Sequence, residues 1–132
     1  MTGMNKHQII YADLLTKAWE ARELAYPWKS GTKVGCAIET QMGKVAVGWN
    51  IEGLWMTSIH AEVCAIKELV GWNTRGVRVA IVSETNHFTP CGACLDWLFQ
   101  FCTLDAEIII QNKEREITVY KLSELCPHYP SQ

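Results

Sequence analysis

Two short segments of this chain combine residue types that bind soft metal ions. The first is H-A-E at residues 60–62, and the second is P-C-G-A-C at residues 90–94. Zinc prefers imidazole nitrogen and thiolate sulfur, and catalytic zinc sites leave a fourth coordination position for water. We therefore predict that His60, Cys91 and Cys94 hold one Zn²⁺ ion.

Glu62 is the residue of this set that can move protons. It follows His60 by two residues on the same predicted helical turn, so its carboxylate can reach the open position without being a ligand. Zinc lowers the pKa of a bound water from about 15.7 towards about 7. A carboxylate beside that water can take its proton and pass it to a ring nitrogen and then to a leaving amine. The predicted chemistry is hydrolytic removal of ammonia from an amidine-like carbon.

The C-x-x-C pair has other interpretations when it is taken alone. It could be redox-active, or it could belong to a structural zinc site, which uses four protein ligands. Cys64 and His87 are the nearby residues that could complete such a site. A purely structural site does not require Glu62, which favours the catalytic interpretation.

The predicted elements alternate between strands and helices in the order αββαβαββ. Loops are expected over residues 50–55 and 84–89, and Ser123 caps a last short turn. Hydrophobic periodicity and turn residues predict a helix over residues 4–25, strands Val34–Glu39 and Lys44–Trp49, a helix from Thr57 or Ser58 to Leu69 or Val70 that stops at Gly71, a strand Val77–Ser83, a helix from Cys91 to about Cys102, and strands Ala106–Gln111 and Glu116–Tyr120.

This order places the metal-binding residues at the starts of two helices in an α/β layered domain with a mixed sheet. Cys91 and Cys94 lie one helical turn apart, so both thiolates can reach one ion. The positive end of a helix stabilises thiolates and lowers their pKa. Since His60 begins the other helix, we expect the metal where two helix N-termini converge.

The composition favours a single soluble domain over residues 1–132. The 132 residues are 48% hydrophobic and 20% charged, with a formal net charge of -2. We expect no nucleic-acid partner, because Lys and Arg form no runs that would neutralise a phosphate backbone. We expect no membrane partner, because no apolar stretch reaches about eighteen residues.

The cysteines and the first twenty residues indicate a cytoplasmic location. Charged residues such as Lys6 and Asp13 interrupt the apolar core that a signal peptide needs. A reducing compartment keeps cysteines free. The cysteines outside the C-x-x-C pair are expected to be small buried hydrophobes: Cys36, Cys64, Cys102 and Cys126.

The string H-x-E…P-C-x-x-C is a signature of zinc deaminases, and further segments extend the match over nearly the whole chain. These segments are Tyr26 with V-G-C-A at residues 34–37, G-W-N-I-E at residues 48–52, and E-L-C-P-H-Y at residues 124–129. In this order they resemble the small, single-domain cytidine deaminase family, which includes the blasticidin-S deaminases. The resemblance implies a three-layer fold with a central mixed five-stranded sheet flanked by helices. It also implies a homotetramer whose active sites are completed by neighbouring subunits.

The resemblance assigns substrate contacts to several further residues. Asn50 and Glu52 would bind sugar hydroxyls, since an amide and a carboxylate two apart on an extended segment point the same way. The backbone amide of Ala61 would touch the substrate, and Tyr129 would stack on a base. Thr32 stands where the family's base-contacting Phe falls, and blasticidin-type members are similar in having a small polar residue near there.

Three departures from the small tetrameric members stand out. His60 replaces their first Cys ligand, and Val63 stands where they have Arg. These two changes are coupled, because one His and two thiolates make a neutral zinc cluster that needs no Arg to offset it. Leu95 stands where an Arg usually follows the second cysteine of the pair.

The sequence thus predicts a zinc-dependent hydrolytic deaminase of a small aminopyrimidine nucleoside, above all cytidine or deoxycytidine. The alternative within the same chemistry is deamination of blasticidin S or another modified cytosine nucleoside, which Thr32 favours and Glu52 disfavours. A nucleic-acid-editing deaminase is disfavoured by the low basic content. A non-catalytic, zinc-stabilised binding protein is disfavoured by Glu62.

Overall fold

The computed structural model describes residues 6–129 of the chain, so the predicted helix start at residue 4 lies outside the described residues. The elements follow the predicted order, with two added short strands and one terminal helix whose N-cap is Lys121, so the prediction that Ser123 caps the last turn was wrong. They are α1 (Lys6–Arg22), β1 (Val34–Thr40), β2 (Val45–Trp49), β3 (Ile51–Glu52), β4 (Ser58–Ile59), α2 (Ala61–Trp72), β5 (Gly76–Ser83), α3 (Gly92–Phe101), β6 (Cys102–Gln111), β7 (Ile117–Lys121) and α4 (Leu122–Leu125).

A mixed five-stranded sheet forms the centre of the fold, as predicted. The strand order is β2-β1-β5-β6-β7, and β3 pairs with β4 in a separate two-stranded ribbon. Strands β5 and β6 are parallel, while the other pairs in the large sheet are antiparallel. The parallel pair is joined through α3, the crossover that parallel strands require.

Helices cover both faces of the sheet and give three layers. Side chains alternate between the two faces of a strand, so Val79 and Ile81 of β5 face one helix layer while Ala80 and Val82 face the other. On one side α1 contributes the buried residues Tyr11, Leu14, Leu15 and Ala18. On the other side α2, α3 and α4 contribute the buried residues Ala61, Ala65, Ile66, Leu69, Leu98 and Leu122.

Glycines at two sheet positions let the helices approach the strands closely. A Cβ atom at Gly35 would overlap the backbone oxygen of Ala18 in α1. A Cβ atom at Gly48 would overlap the backbone oxygen of Ala61 at the start of α2. Gly48 therefore fixes the depth at which the N-terminus of α2 packs on β2.

The predicted start of the second helix was wrong by several residues. Neither Thr57 nor Ser58 is the N-cap, because residues 58–59 form β4 and pair with residues 51–52. The N-cap is His60, with φ -79° and ψ 156°. The pairing of β3 with β4 also means that the expected loop over residues 50–55 is partly strand.

The predicted end of that helix and the start of a later strand also needed correction. Gly71 does not end α2, which continues to Trp72 and is capped by Asn73 in the left-handed conformation with φ 54°. Asn tolerates this conformation better than most residues. Strand β6 begins at Cys102 instead of Ala106, directly after α3.

Across residues 6–129, no helix has both the length and the apolar character needed to cross a bilayer.

Candidate active site

The three predicted metal ligands lie together in the structure. The Nδ1 atom of His60 is 3.2 Å from Sγ of Cys94 and 3.4 Å from Sγ of Cys91. Zn–S bonds of about 2.3 Å and Zn–N bonds of about 2.0 Å place tetrahedral ligands roughly 3.5 Å apart. The donor atoms therefore fit a zinc ion in nearly their present positions.

The donor set contains three protein ligands, as a catalytic zinc site does. Among residues 6–129, the group of ligand atoms within 4.8 Å of one another consists of His60, Cys91 and Cys94. Cys64 and His87, which could have completed a structural site, are not members of it. The geometry therefore leaves one position of a tetrahedral ion free for a non-protein ligand.

Two helix N-termini position these ligands. His60 is the N-cap of α2 and Cys91 is the N-cap of α3. The backbone N–H of Cys94 donates to Sγ of Cys91 at 3.5 Å, which orients the first thiol. Because helix N-termini carry partial positive charge, both helices favour negative charge on the sulfur atoms.

The surroundings of Cys94 make its ionisation depend on a cation. Burial raises the pKa of the Cys94 thiol well above its usual range, and the neighbouring Glu62 raises this pKa further. A coordinated metal ion reverses this balance, since a coordinating thiol is deprotonated outright. Without a cation, the shift of the Cys94 pKa is therefore opposite in direction to the lowering that the helix N-terminus alone predicts.

Glu62 lies on the first turn of α2 with only 5% of its surface exposed. Burial raises the pKa of its carboxyl group, since the charged form loses solvation. The side chain also lines the cavity that adjoins the ligand cluster. A carboxyl group with a raised pKa beside a metal site has the properties of a proton carrier.

A cavity of about 310 Å³ connects the ligand cluster with the predicted sugar-binding segment. This volume is at the lower end of the range for small-molecule sites. Most of the residues predicted from the sequence line it: Thr32, Asn50, Glu52, His60, Ala61, Glu62 and Cys91. The structure thus brings together segments that are up to about sixty residues apart in the chain.

Asn50 connects the cavity wall to the segment that precedes β1. Its Oδ1 accepts a hydrogen bond from the backbone N–H of Val34 at 2.8 Å. Its Nδ2 donates to the backbone carbonyl of Thr32 at 2.8 Å. Each group retains one further hydrogen-bonding position, so Asn50 can hold this segment and still contact a ligand.

Glu52 is held in place by backbone groups of a neighbouring turn. Its Oε1 accepts from the backbone N–H groups of Lys29 and Ser30 at 2.8 Å and 2.9 Å. Hydrogen bonds from Ser30, together with Lys29, lower the pKa of the Glu52 carboxyl group, so it stays ionised at neutral pH. A carboxylate has about four acceptor positions, so Glu52 can also accept a hydrogen bond from a ligand hydroxyl.

Tyr129 does not line the cavity of its own chain. Its ring stacks on Phe99 of α3, with centroids 4.5 Å apart and an interplanar angle of 10°. The resemblance gave this residue a role at a neighbouring subunit's base, and that role stays a prediction.

Several cavity residues were missed by the sequence reasoning. They come from the turn before β1, from β4, from the end of β5 and from the loop before Cys91: Ser30, Ser58, Ser83, Thr85, Phe88 and Thr89. Thr85, Phe88 and Thr89 could have been predicted from the sequence, because residues 84–89 connect a buried strand to the P-C pair. A loop in that position must run past the metal site.

A three-layer α/β fold with this donor set defines a class of zinc-binding enzymes, and comparison with known proteins gives the family. Residues 9–111 match the family model described as the cytidine and deoxycytidylate deaminase zinc-binding region. The chain belongs to this family of hydrolytic deaminases. Its cofactor is zinc, for which His60, Cys91 and Cys94 form the fitting donor set.

Similar proteins match this chain over most of their own lengths. A cytidine deaminase of Halalkalibacterium halodurans is 31% identical over 117 residues, which cover 86% of this chain and 89% of the relative. A cytidine deaminase of Sporosarcina psychrophila is 29% identical over 117 residues, with 86% of each chain covered.

Solved structures show the same agreement in fold. The cytidine deaminase of Burkholderia pseudomallei superimposes with a TM-score of 0.85 at 30% identity, covering 96% of this chain and 100% of that one. The cytidine deaminase of Mycobacterium leprae gives a TM-score of 0.75 at 25% identity, covering 89% and 98%.

Proposed function

We propose that this chain hydrolyses cytidine or deoxycytidine to uridine or deoxyuridine and ammonia. The observation that carries the proposal is the position of Glu62, a buried carboxyl group in a cavity beside the His60, Cys91 and Cys94 donor set. The relatives named as cytidine deaminases support the choice of base. We also propose that residues 1–132 form a single deaminase domain.

His60, Cys91 and Cys94 would hold the zinc ion, which lowers the pKa of water so that it can add to carbon near neutral pH. Glu62 accepts the proton of that water and delivers it to N3 of the pyrimidine. Glu62 then carries the second proton to the amino group on C4. The bond between C4 and this nitrogen breaks, ammonia leaves, and the carbonyl oxygen of the product comes from water.

The charges around the cavity favour a nucleoside over a nucleotide. Among the described residues that line the cavity there is no Lys or Arg, while Glu52 contributes a carboxylate. A phosphate group would therefore meet negative charge and find no cation among these lining side chains. The Glu52 carboxylate instead suits a neutral sugar hydroxyl, and Asn50 can add a second contact.

A modified cytosine nucleoside such as blasticidin S is the second candidate substrate. Thr32 is exposed and lines the cavity without placing a ring there, and Ser30 is exposed beside it. These small hydroxyl side chains leave room for a substituent that ordinary cytidine lacks. A non-catalytic zinc-stabilised binding protein is disfavoured, because burying the Glu62 carboxyl group carries a free-energy cost that a purely structural site does not require.

We propose that the chain assembles as a homotetramer whose subunits complete one another's sites. Three consecutive apolar residues between β3 and β4 are exposed, with Leu54 at 74%, Trp55 at 78% and Met56 at 89%. They follow Glu52 and precede Ser58, which both line the cavity. A patch of this kind is typical of surfaces that bind another protein chain.

We further propose a cytoplasmic location and a role in pyrimidine salvage. All six cysteines are unpaired, which supports a reducing compartment. Hydrolysis of cytosine nucleosides would return them to the uracil series, which is a salvage reaction. The low basic content supports the absence of a nucleic-acid partner.

The proposal is tested by incubating the zinc-loaded protein with cytidine, deoxycytidine, cytosine, dCMP, blasticidin S and single-stranded DNA, and measuring ammonia release. The Glu62→Gln protein is the control for contaminating activity. We expect turnover of cytidine or deoxycytidine that the control lacks. Activity confined to blasticidin S would establish the second candidate, and activity on none of the panel would contradict both.

A further inference from the structure

Two aromatic side chains line the cavity among the residues that the structure describes around it, and Phe88 is the one that does not belong to the predicted metal-binding set. The polar lining residues suit the edges of a base and the hydroxyls of a sugar, which form hydrogen bonds. A pyrimidine also has two apolar faces, and aromatic side chains are the residues on which bases stack. The ring of Phe88 is therefore the group in this wall that matches a face of the base.

Phe88 is anchored so that its ring has a defined position relative to the metal ligands. The side chain is half-buried and packs against the core cluster formed by the sheet with α2 and α3. It stands three residues before Cys91, and the intervening Pro90 is buried and restricts the backbone. These two contacts fix Phe88 to the core on one side and to the start of the metal-binding helix on the other.

We propose that Phe88 packs its ring against the pyrimidine base of the substrate and thereby holds C4 of the base at the metal site. This inference rests on the proposed function. It assigns to the loop before α3 the base contact that the family resemblance placed at Thr32, where this chain has no ring. The remaining apolar lining residues on the sheet, Val34 and Ile81, provide aliphatic contacts only.

The first experiment compares Phe88→Leu, Phe88→Tyr and Phe101→Leu by steady-state kinetics on cytidine. Loss of the ring should raise KM about 5- to 30-fold, in the lower part of the range measured for base stacking because leucine keeps an apolar contact. The value of kcat should change less than KM, because the contact stabilises the bound substrate and the transition state to a similar extent. The Phe88→Tyr variant should restore KM to near the wild-type value.

Phe101 is the matched control because it is also half-buried and packs against the same core cluster, yet it does not line the cavity. Phe101→Leu should leave KM unchanged while costing similar thermal stability. Equal KM values for wild type and Phe88→Leu would overturn the assignment. An equal rise in KM for both leucine variants would overturn it as well, since it would show a general packing effect.

A second measurement does not depend on the folding of any variant. The chain contains three phenylalanines, so selective labelling gives few ring signals. We expect nuclear Overhauser effects between the Phe88 ring and H5 or H6 of bound uridine, and none from Phe101. Bound uridine without an effect from Phe88 would refute the base contact alone, whereas absent cytidine turnover and absent uridine binding in the wild type would refute the proposed function itself.

Discussion

At the scale of single residues, Glu62 is the group that we propose moves protons at the zinc site. It is buried, the pKa of its carboxyl group is raised by burial, and no Lys or Arg in the described part of the chain forms an ion pair with it. A buried carboxyl group without a cationic partner destabilises the fold. The proposed role as a proton carrier beside the three predicted metal ligands would give this buried carboxyl group a use.

Replacing Glu62 by Gln should remove the proton carrier and keep the shape of the side chain. We expect kcat on cytidine to fall by about 10²- to 10⁴-fold, the usual contribution of general acid–base catalysis. Zinc content, measured by atomic absorption, should remain at one ion per chain because the substitution leaves all three ligands in place. Wild-type turnover by the variant would show that another group moves the proton.

At the scale of elements, the packing of α2 on β2 depends on Gly48. A methyl group at this position would overlap the backbone oxygen of Ala61 and the backbone nitrogen of Ala65. Backbone atoms of a helix cannot rotate away as side chains do. The helix must therefore shift, and it carries His60 and Glu62 at its N-terminus.

We expect Gly48→Ala to lower the free energy of unfolding by about 1–3 kcal/mol or more, as overpacked cores do, and to weaken zinc binding. Chemical denaturation and zinc titration measure the two effects. Gly71→Ala is the matched control, because nothing lies within 4 Å of the added methyl on the exposed side of α2. This control should leave zinc binding unchanged and stabilise the helix by roughly 0.5–1 kcal/mol.

The packing of α1 on the other face of the sheet includes a hydrogen bond that responds to pH. The hydroxyl of Tyr11 donates to Oε2 of Glu107 at 2.5 Å. Burial first, and then Glu107, raise the pKa of Tyr11 from 10.0 to about 12. Between about pH 10 and about pH 12, Tyr11 keeps its proton in the folded state and releases it in the unfolded chain. The contribution of Tyr11 to the free energy of unfolding is therefore full below about pH 10 and is lost as the pH rises towards about 12.

Replacing Tyr11 by Phe should therefore destabilise the protein at about pH 8 more than at high pH. The destabilisation, measured by urea unfolding of the wild type and the variant, should shrink steadily above about pH 10. Tyr26→Phe, at an exposed tyrosine, is the reference for the loss of a hydroxyl. A constant difference between wild type and Tyr11→Phe across this range would contradict the link between the pKa and stability.

At the scale of the whole molecule, the exposed apolar residues between β3 and β4 link assembly to the active site. Replacing Trp55 by Ser should weaken the proposed tetramer, and sedimentation velocity should show species smaller than the wild type. The activity per chain should fall with dissociation if neighbours complete the sites. Met42→Ser, at another exposed apolar residue in the turn between β1 and β2, should preserve both. A wild-type protein that sediments as a monomer with full activity would contradict the assembly.

The sequence predicted the large elements well because their patterns are local. The apolar run of β5 and the helical spacing in α1 each lie within one segment, and the periodicity of burial acts on neighbouring residues. The errors came where local signals compete. Thr57 and Ser58 are good capping residues, yet the N-cap is His60, which makes no capping hydrogen bond through its side chain.

The sequence by itself determined the class of this protein, because the residue types at positions 60–62 and 90–94 match the signature of zinc deaminases and supply the proposed donor set and acid–base group. The tertiary structure decided which other side chains share the cavity with them. The turn at residues 29–30 that holds Glu52, the ring of Phe88 in the cavity wall and the position of Tyr129 against Phe99 follow from contacts between distant segments. Such contacts depend on strand order and on the depth of helix packing, which no local pattern encodes.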